Sequence, residues 1–118
     1  MPQGVWKTAL VDISESTTIS NEVDLGGDFK KVLVLIPTIT SSTVTVYVSN
    51  KSGGTFYPLY KTGTKYDANT IEDLPVLTKA AVTAHAVVFD IGAAQFIKIV
   101  CGTAQETTDK EFLVRGIN

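Results

Sequence analysis

The sequence predicts an all-β domain, an antiparallel β-sandwich of jelly-roll-like form with about eight short strands. Three observations predict it. In Thr43-Val44-Thr45-Val46-Tyr47-Val48, apolar and hydroxyl-bearing residues alternate with the period of two that a half-buried strand requires. Short apolar runs recur along the whole chain, separated by segments rich in glycine, proline, serine and threonine. The stretch at 73–88, "DLPVLTKAAVTAHAVV", has room for a turn or two of helix after Pro75, but its β-branched content argues against a long one.

Taken in order, "VWKTALVDI" and "EVDL" are the first, weaker strand candidates. Gly26-Gly27-Asp28 follows, placed where a strand turns before the next begins. "FKKVLVLI" at 29–36 begins charged and becomes continuously apolar, as a strand buried on both faces does. Pro37 ends it, because proline removes a ladder donor. The 43–48 strand then presents Val44, Val46 and Val48 to a core and Thr43, Thr45 and Tyr47 outward. Gly53-Gly54 reads as a hairpin turn in which one glycine takes positive φ. "TFYPLY" at 55–60 is a strand that Pro58 confines to an edge or bulge. "AVVFDI" at 86–91 and "QFIKIVC" at 95–101 read as two strands separated by Gly92-Ala93-Ala94. "EFLVRGI" at 111–117 is the last.

The 118 residues suit one domain, with residues 1–15 as an N-terminal arm or first strand and residues 16–118 as a single sandwich. Charged residues make up 19% and hydrophobic ones 44%, against a usual charged share of about 25%. Mean hydropathy is +0.19. That balance leaves apolar or hydroxyl-rich area on the surface, which often marks a contact with another subunit. The formal net charge of −2 and the scattered lysines and arginines give no basic face, so no nucleic-acid partner is expected. The longest apolar run, Val32 to Ile36, is far short of the roughly 20 residues of a spanning helix, so no membrane is expected. The N-terminal residues show no basic region followed by an apolar stretch, so no signal peptide is expected. One cysteine excludes an internal disulfide and fits a reducing cytoplasm.

Catalytic chemistry finds no pattern. In Ser49-Asn50-Lys51-Ser52-Gly53-Gly54 the Lys-Ser pair precedes the glycines and a strand-like run follows, the reverse of a phosphate-cradling loop. Glu22, Asp24 and Asp28 lack the spacing of a calcium loop, and Asn50-Lys51-Ser52 matches a glycosylation sequon by chance. A single histidine, His85, rules out most zinc sites, and no nucleophile elbow accompanies the serines. Cys101 alternates with Ile97 and Ile99 and reads as a buried, inert thiol. Glu72-Asp73 and Asp109/Glu111 read as solvated loop charge. No catalytic residue, metal ligand or cofactor site is therefore assigned, and the chain is expected not to be an enzyme. The aromatic side chains leave one binding alternative: Tyr47, Tyr57 and Tyr60, with Tyr66 nearby, would form a sugar platform if their rings were accessible, against the plainer reading of cross-strand packing.

The segment "VDLGGDFKKVLVLIPTITSSTVTVYVSNKSGGTFYPLYKTGTKY" resembles a widespread family of small tailed-phage virion proteins. There an Asp-Leu-Gly element precedes a strand and a Pro-Thr turn, and a Thr/Val strand leads into a Gly-Gly-Thr-Phe hairpin. The ending "QFIKIVCGTAQETTDKEFLVRGI" is similar too, with its Cys-Gly-Thr turn and closing strand. The likeness spans residues 16–117 and touches Asp24-Leu25-Gly26, Pro37-Thr38, Gly53-Gly54-Thr55-Phe56 and Gly102-Thr103, all architectural positions. Asn50-Lys51 stands where such proteins often carry acidic residues. The resemblance implies a β-sandwich component of a phage particle, assembled in the host cytoplasm: a capsid decoration (cement) protein, or a neck or tail accessory. Its expected partners are the major capsid protein or another virion protein, and further copies of itself. Val5, Trp6 and Leu10 in "MPQGVWKTAL" are the expected contact residues, Trp6 as anchor because aromatic residues dominate contact hot spots.

Overall fold

The computed structural model describes residues 4–40, 43–58, 60–61, 74–75, 77–79, 84–106 and 108–118. They form an all-β structure, with no helix among the described residues. Nine strands follow in order: β1 (Lys7–Val11), β2 (Val23–Ile36), β3 (Thr43–Ser49), β4 (Tyr57–Pro58), β5 (Tyr60–Lys61), β6 (Leu74–Pro75), β7 (Leu77–Lys79), β8 (His85–Cys101) and β9 (Lys110–Ile117). Six of them make one antiparallel sheet in the order β1-β9-β2-β8-β3-β4, with β7 also paired to β3, while β5 and β6 form a separate pair.

The strand inventory differs from the sequence expectation in one instructive way. The runs at 86–91 and 95–101 are one strand of 17 residues, β8, and "EVDL" and "FKKVLVLI" are one strand of 14 residues, β2. The glycines between them do not reverse the chain. Gly26 (φ +87°), Gly92 (φ +61°) and Ala93 (φ +69°) sit in left-handed conformations inside continuous strands, where β2 slips register against β8 between Asp24 and Phe29 and again between Phe29 and Lys31. An extra residue in a ladder bends the strand and switches which residues point inward. Here the buried set runs Val23, Leu25, Phe29 and then Val32, Val34, Ile36. At these three positions positive φ serves bulges, and β1, β9, β2, β8, β3 and β4 pair as a single sheet rather than as two separately bonded layers.

These bulges make two wings. In one, the second half of β2 lies between β9 and the first half of β8, with β1 beyond β9. In the other, the second half of β8 lies between β3 and the start of β2. The inner sides of both wings contribute to one core, from Ala9, Val11, Phe112 and Val114 through Val32, Val34 and Phe89 to Val44, Val46, Ile97 and Ile99. Ile39, in the loop after β2, joins the same core, so residues from both wings and one connecting loop share a single cluster. Hydrogen bonds tie the chain just before β2 to β1: Asn21 N–H donates to Leu10 O (3.1 Å) and Leu10 N–H to Asn21 Oδ1 (2.7 Å). Each fully buried aromatic or branched aliphatic side chain contributes about 1.5–3 kcal/mol, so the shared core dominates stability.

The valine face of β3 is realised, with Val44 and Val46 fully buried and Val48 packed against the core, but Thr45, expected outward, is buried as well, its hydroxyl donating to Val100 O (3.4 Å). Pro58 lies in edge strand β4, and β2 stops at Ile36 before Pro37. The expectation that 29–36 is covered on both sides is corrected. Val32, Val34 and Ile36 are buried, whereas Leu33 and Leu35, on the outer side, are only half-buried.

A buried glutamine ties three loops together. Gln105, 1% exposed, donates from Nε2 to Thr40 O (3.2 Å) and Thr103 O (3.1 Å) and accepts from Thr40 N–H at Oε1 (2.8 Å). Its own amide donates to Thr17 O (2.8 Å).

Candidate interaction surface

The N-terminal residues expected to make contacts are held in a defined arrangement at the edge of the sheet. Residues 7–11 are strand β1, whose Ala9 and Val11 are fully buried, and Leu10 between them is half-buried beside Asn21. Only the residues before Lys7 remain for a separate contact element. There Gly4 N–H donates to Gly116 O (2.9 Å), and Arg115 Nε–H donates to Gly4 O (2.7 Å). The Phe29 ring explains why both partners are glycine. A Cβ on Gly116 would lie 2.2 Å from Phe29 Cδ2, and one on Gly4 would lie 3.2 Å from Phe29 Cζ. With the backbone held this way, Val5 is 65% and Trp6 43% exposed. The Arg115 guanidinium stands 5.8 Å from the Trp6 ring centroid, within cation–π range. Trp6 is therefore oriented while its surface stays open to solvent. Spacing along the chain carried no sign of Arg115 or Gly116 in this role, because the contacts join residues more than a hundred positions apart.

Tyr47 and Tyr57 point to opposite faces of the sheet. Tyr47 pairs with Pro58, and Val48 pairs with Tyr57. Residues directly opposite in an antiparallel ladder share a face, so Tyr57 follows Val48 while Tyr47 follows the outer residues. Tyr47 is half-buried and Tyr57 is 59% exposed. Tyr60 lies in β5, and Tyr66 lies outside the described residues. Beside Tyr47 on the outer face, the Lys98 ammonium stands 4.7 Å from the Phe56 ring centroid.

The glycine turn between β3 and β4 is a bend, with Gly53 at φ +70° and Gly54 N–H bonded to Lys51 O (3.2 Å). Its amide also serves Glu22, whose carboxylate accepts from Gly53 N–H (2.7 Å) and from the Ser52 hydroxyl. Asp24 accepts from Gln95 Nε2 (2.9 Å) and Gly26 N–H (2.8 Å), and Asp12 accepts from the Ser14 hydroxyl (2.6 Å) and amide (3.0 Å). The Gly53 amide and then the Ser52 hydroxyl hold the Glu22 carboxyl below its ordinary value of 4.5; the Gln95 amide and then Gly26 N–H do so for Asp24, and Ser14 for Asp12, below 3.8. A depressed folded-state value means the stabilisation is present above the unfolded value and is lost as pH falls through the folded one. The urea midpoint should therefore be flat near neutrality and fall as pH drops below 4.5. Glu22→Gln with Asp24→Asn should shrink that acid-side fall; an unchanged fall would remove these carboxylates as its cause.

The residues considered for chemistry are dispersed. His85 starts β8, paired with Ile36. Cys101 is a free thiol, 1% exposed, and burial pushes it up to about 11. Asp109 accepts from Ile13 N–H (3.0 Å), and Glu72-Asp73 lie outside the described residues. Among the described residues no group of three or more His, Cys, Asp or Glu is placed to hold a metal ion, and no helix is long and apolar enough to cross a membrane. Two open grooves remain: one of about 450 Å³ at the bend, lined by Asp28, Val48, Asn50, Ile91 and Ala93, and one of about 430 Å³ between Leu10, Glu15, Ile19 and Lys98.

No protein-family model and no curated protein matches the chain. Among solved structures, the crystal structure of the SPBc2 prophage-derived protein YomS is similar over 100% of this chain and 99% of that one, at 16% identity and a TM-score of 0.51. At that identity the likeness is one of fold: this chain and a prophage-derived protein share an all-β architecture from end to end.

Proposed function

We propose that the chain is a non-enzymatic structural subunit of a tailed-phage particle, a capsid decoration (cement) protein that bridges neighbouring shell subunits. The observation that carries the reading is the presented N-terminal rim, with Trp6 and Val5 exposed but fixed by Gly4, Gly116 and Arg115. An oriented aromatic side chain loses little freedom on docking, which suits it to anchor a protein contact. The whole-length fold likeness to a prophage-derived protein supports a phage origin. In this reading the two wings act as the layers of a sandwich-like body, and the major capsid protein is the partner. Many modest contacts repeated over a shell add up to resistance that no single contact supplies.

The test begins with virions of the phage or prophage that encodes the chain. Mass spectrometry should find it in the purified particles, and particles lacking it should break at lower temperature. Trp6→Ala should fold normally yet fail to bind shells made without the protein. Absence from the particle, or shells equally robust without it, overturns the reading.

A further inference from the structure

We propose that the outer face of the β1-β9-β2-β8 wing is a self-association surface whose occupant is the same face of a second copy, stacked with its strands antiparallel. This inference does not depend on the phage reading. The register places the outward residues in four rows: Ile117, Lys31 and Asp90; then Arg115, Leu33 and Val88; then Thr8, Leu113, Leu35 and Ala86; then Leu10 and Glu111. The two middle rows are apolar apart from Arg115 and Thr8 at the β9 and β1 end. Val88 is 51% and Leu113 38% exposed, Ala86 is exposed, and Leu33 and Leu35 are half-buried. A sheet face meant for water alone carries polar residues at these positions, and exposed contiguous apolar area marks an interaction site.

Charge selects the occupant. One end of the face bears Lys31 and Arg115, with Asp90 beside Lys31, and the opposite end bears Glu111. The face is therefore neutral in sum and polar from end to end. A two-fold axis in the plane of the contact brings Glu111 of each copy towards the cationic end of the other and sets the leucine and valine rows against each other. That is self-complementarity, the requirement of an isologous interface. Strands about 4.8 Å apart, with rows about 6.7 Å apart, give roughly 400–500 Å² on each copy. The total, about 800–1,000 Å², falls in the range of weak, transient contacts below about 1,200 Å², so the pair is reversible, with a dissociation constant on the order of 100 µM. Trp6 precedes the first paired residue of β1 and lies beside Arg115, at the β1 end of the second row.

Sedimentation equilibrium of the purified chain, from about 10 µM to about 1 mM, reads the outcome. The wild type should pass from monomer to dimer across that range. Val88→Asp, at an exposed position, should raise the dissociation constant at least about tenfold with an unchanged circular dichroism spectrum; Ala86→Glu repeats the test should the first variant not fold. Glu111→Lys should weaken the dimer, and adding Lys31→Glu should restore it. A wild type that stays monomeric throughout, or a dimer indifferent to both Val88→Asp and Ala86→Glu, overturns the proposal.

Discussion

Gly116→Ala should cost about 1–3 kcal/mol, and almost nothing once Phe29 has been replaced by alanine. The added methyl has nowhere to go: its ideal position lies 2.2 Å from Cδ2, 2.5 Å from Cγ and 2.7 Å from Cε2 of Phe29. The ring rests on the Gly116 backbone and cannot retreat, because it is part of the buried core. Phe29→Ala alone should cost about 3–5 kcal/mol through lost burial and the cavity it leaves. In that background the Gly116 methyl enters the vacated space. The double-mutant cycle in urea should therefore show strong coupling of opposite sign to the single effects. Additive costs would mean that the ring does not sit on Gly116.

A comparable loss is expected from Gln105→Leu. The substitution keeps much of the volume but strands the Thr40 amide and the carbonyls of Thr40 and Thr103, to which the glutamine side chain bonds at 2.8, 3.2 and 3.1 Å. Unsatisfied buried groups cost about 1–3 kcal/mol each; with water reaching some of them as the loops relax, the net destabilisation is about 3 kcal/mol. Amide exchange adds a readout that mere loss of packing would not give. The Thr40 N–H should lose protection beyond the global change, while amides in β2 and β9 should follow global stability alone. Equal protection at Thr40 in wild type and variant would sink the clamp.

The contrast between these residues and the readily predicted ones shows what a linear pattern carries. Val44, Val46 and Val48 announce their face because a strand's period of two is local, and Pro37 and Pro58 announce an end and an edge because a missing donor is local as well. Gly26 and Gly92 announce positive φ, but not whether the chain turns back or bulges forward. That choice depends on whether a neighbouring strand continues past the bend, and both β2 and β8 have one. The unbroken run at 32–36 likewise looks doubly buried, since hydrophobicity alone does not say whether anything lies above the outer face. Gln105, Arg115 and Gly116 were illegible for a further reason: each works through partners on distant parts of the chain. Of the residues expected to make contacts, Val5 and Trp6 are open and Leu10 is half-buried, while the frame that orients Trp6 was not legible.

The pairing of β1 with β9 joins Lys7 to Val114 and Val11 to Lys110, so β1 waits for a ladder partner that is made only after every strand between them. Until then its backbone donors and the neighbouring tryptophan stand bare while the rest of the sheet assembles. Closure of this edge is thereby tied to the arrival of β9, and a chain cut short before β9 would be left with an adhesive, unpaired border in place of a finished surface.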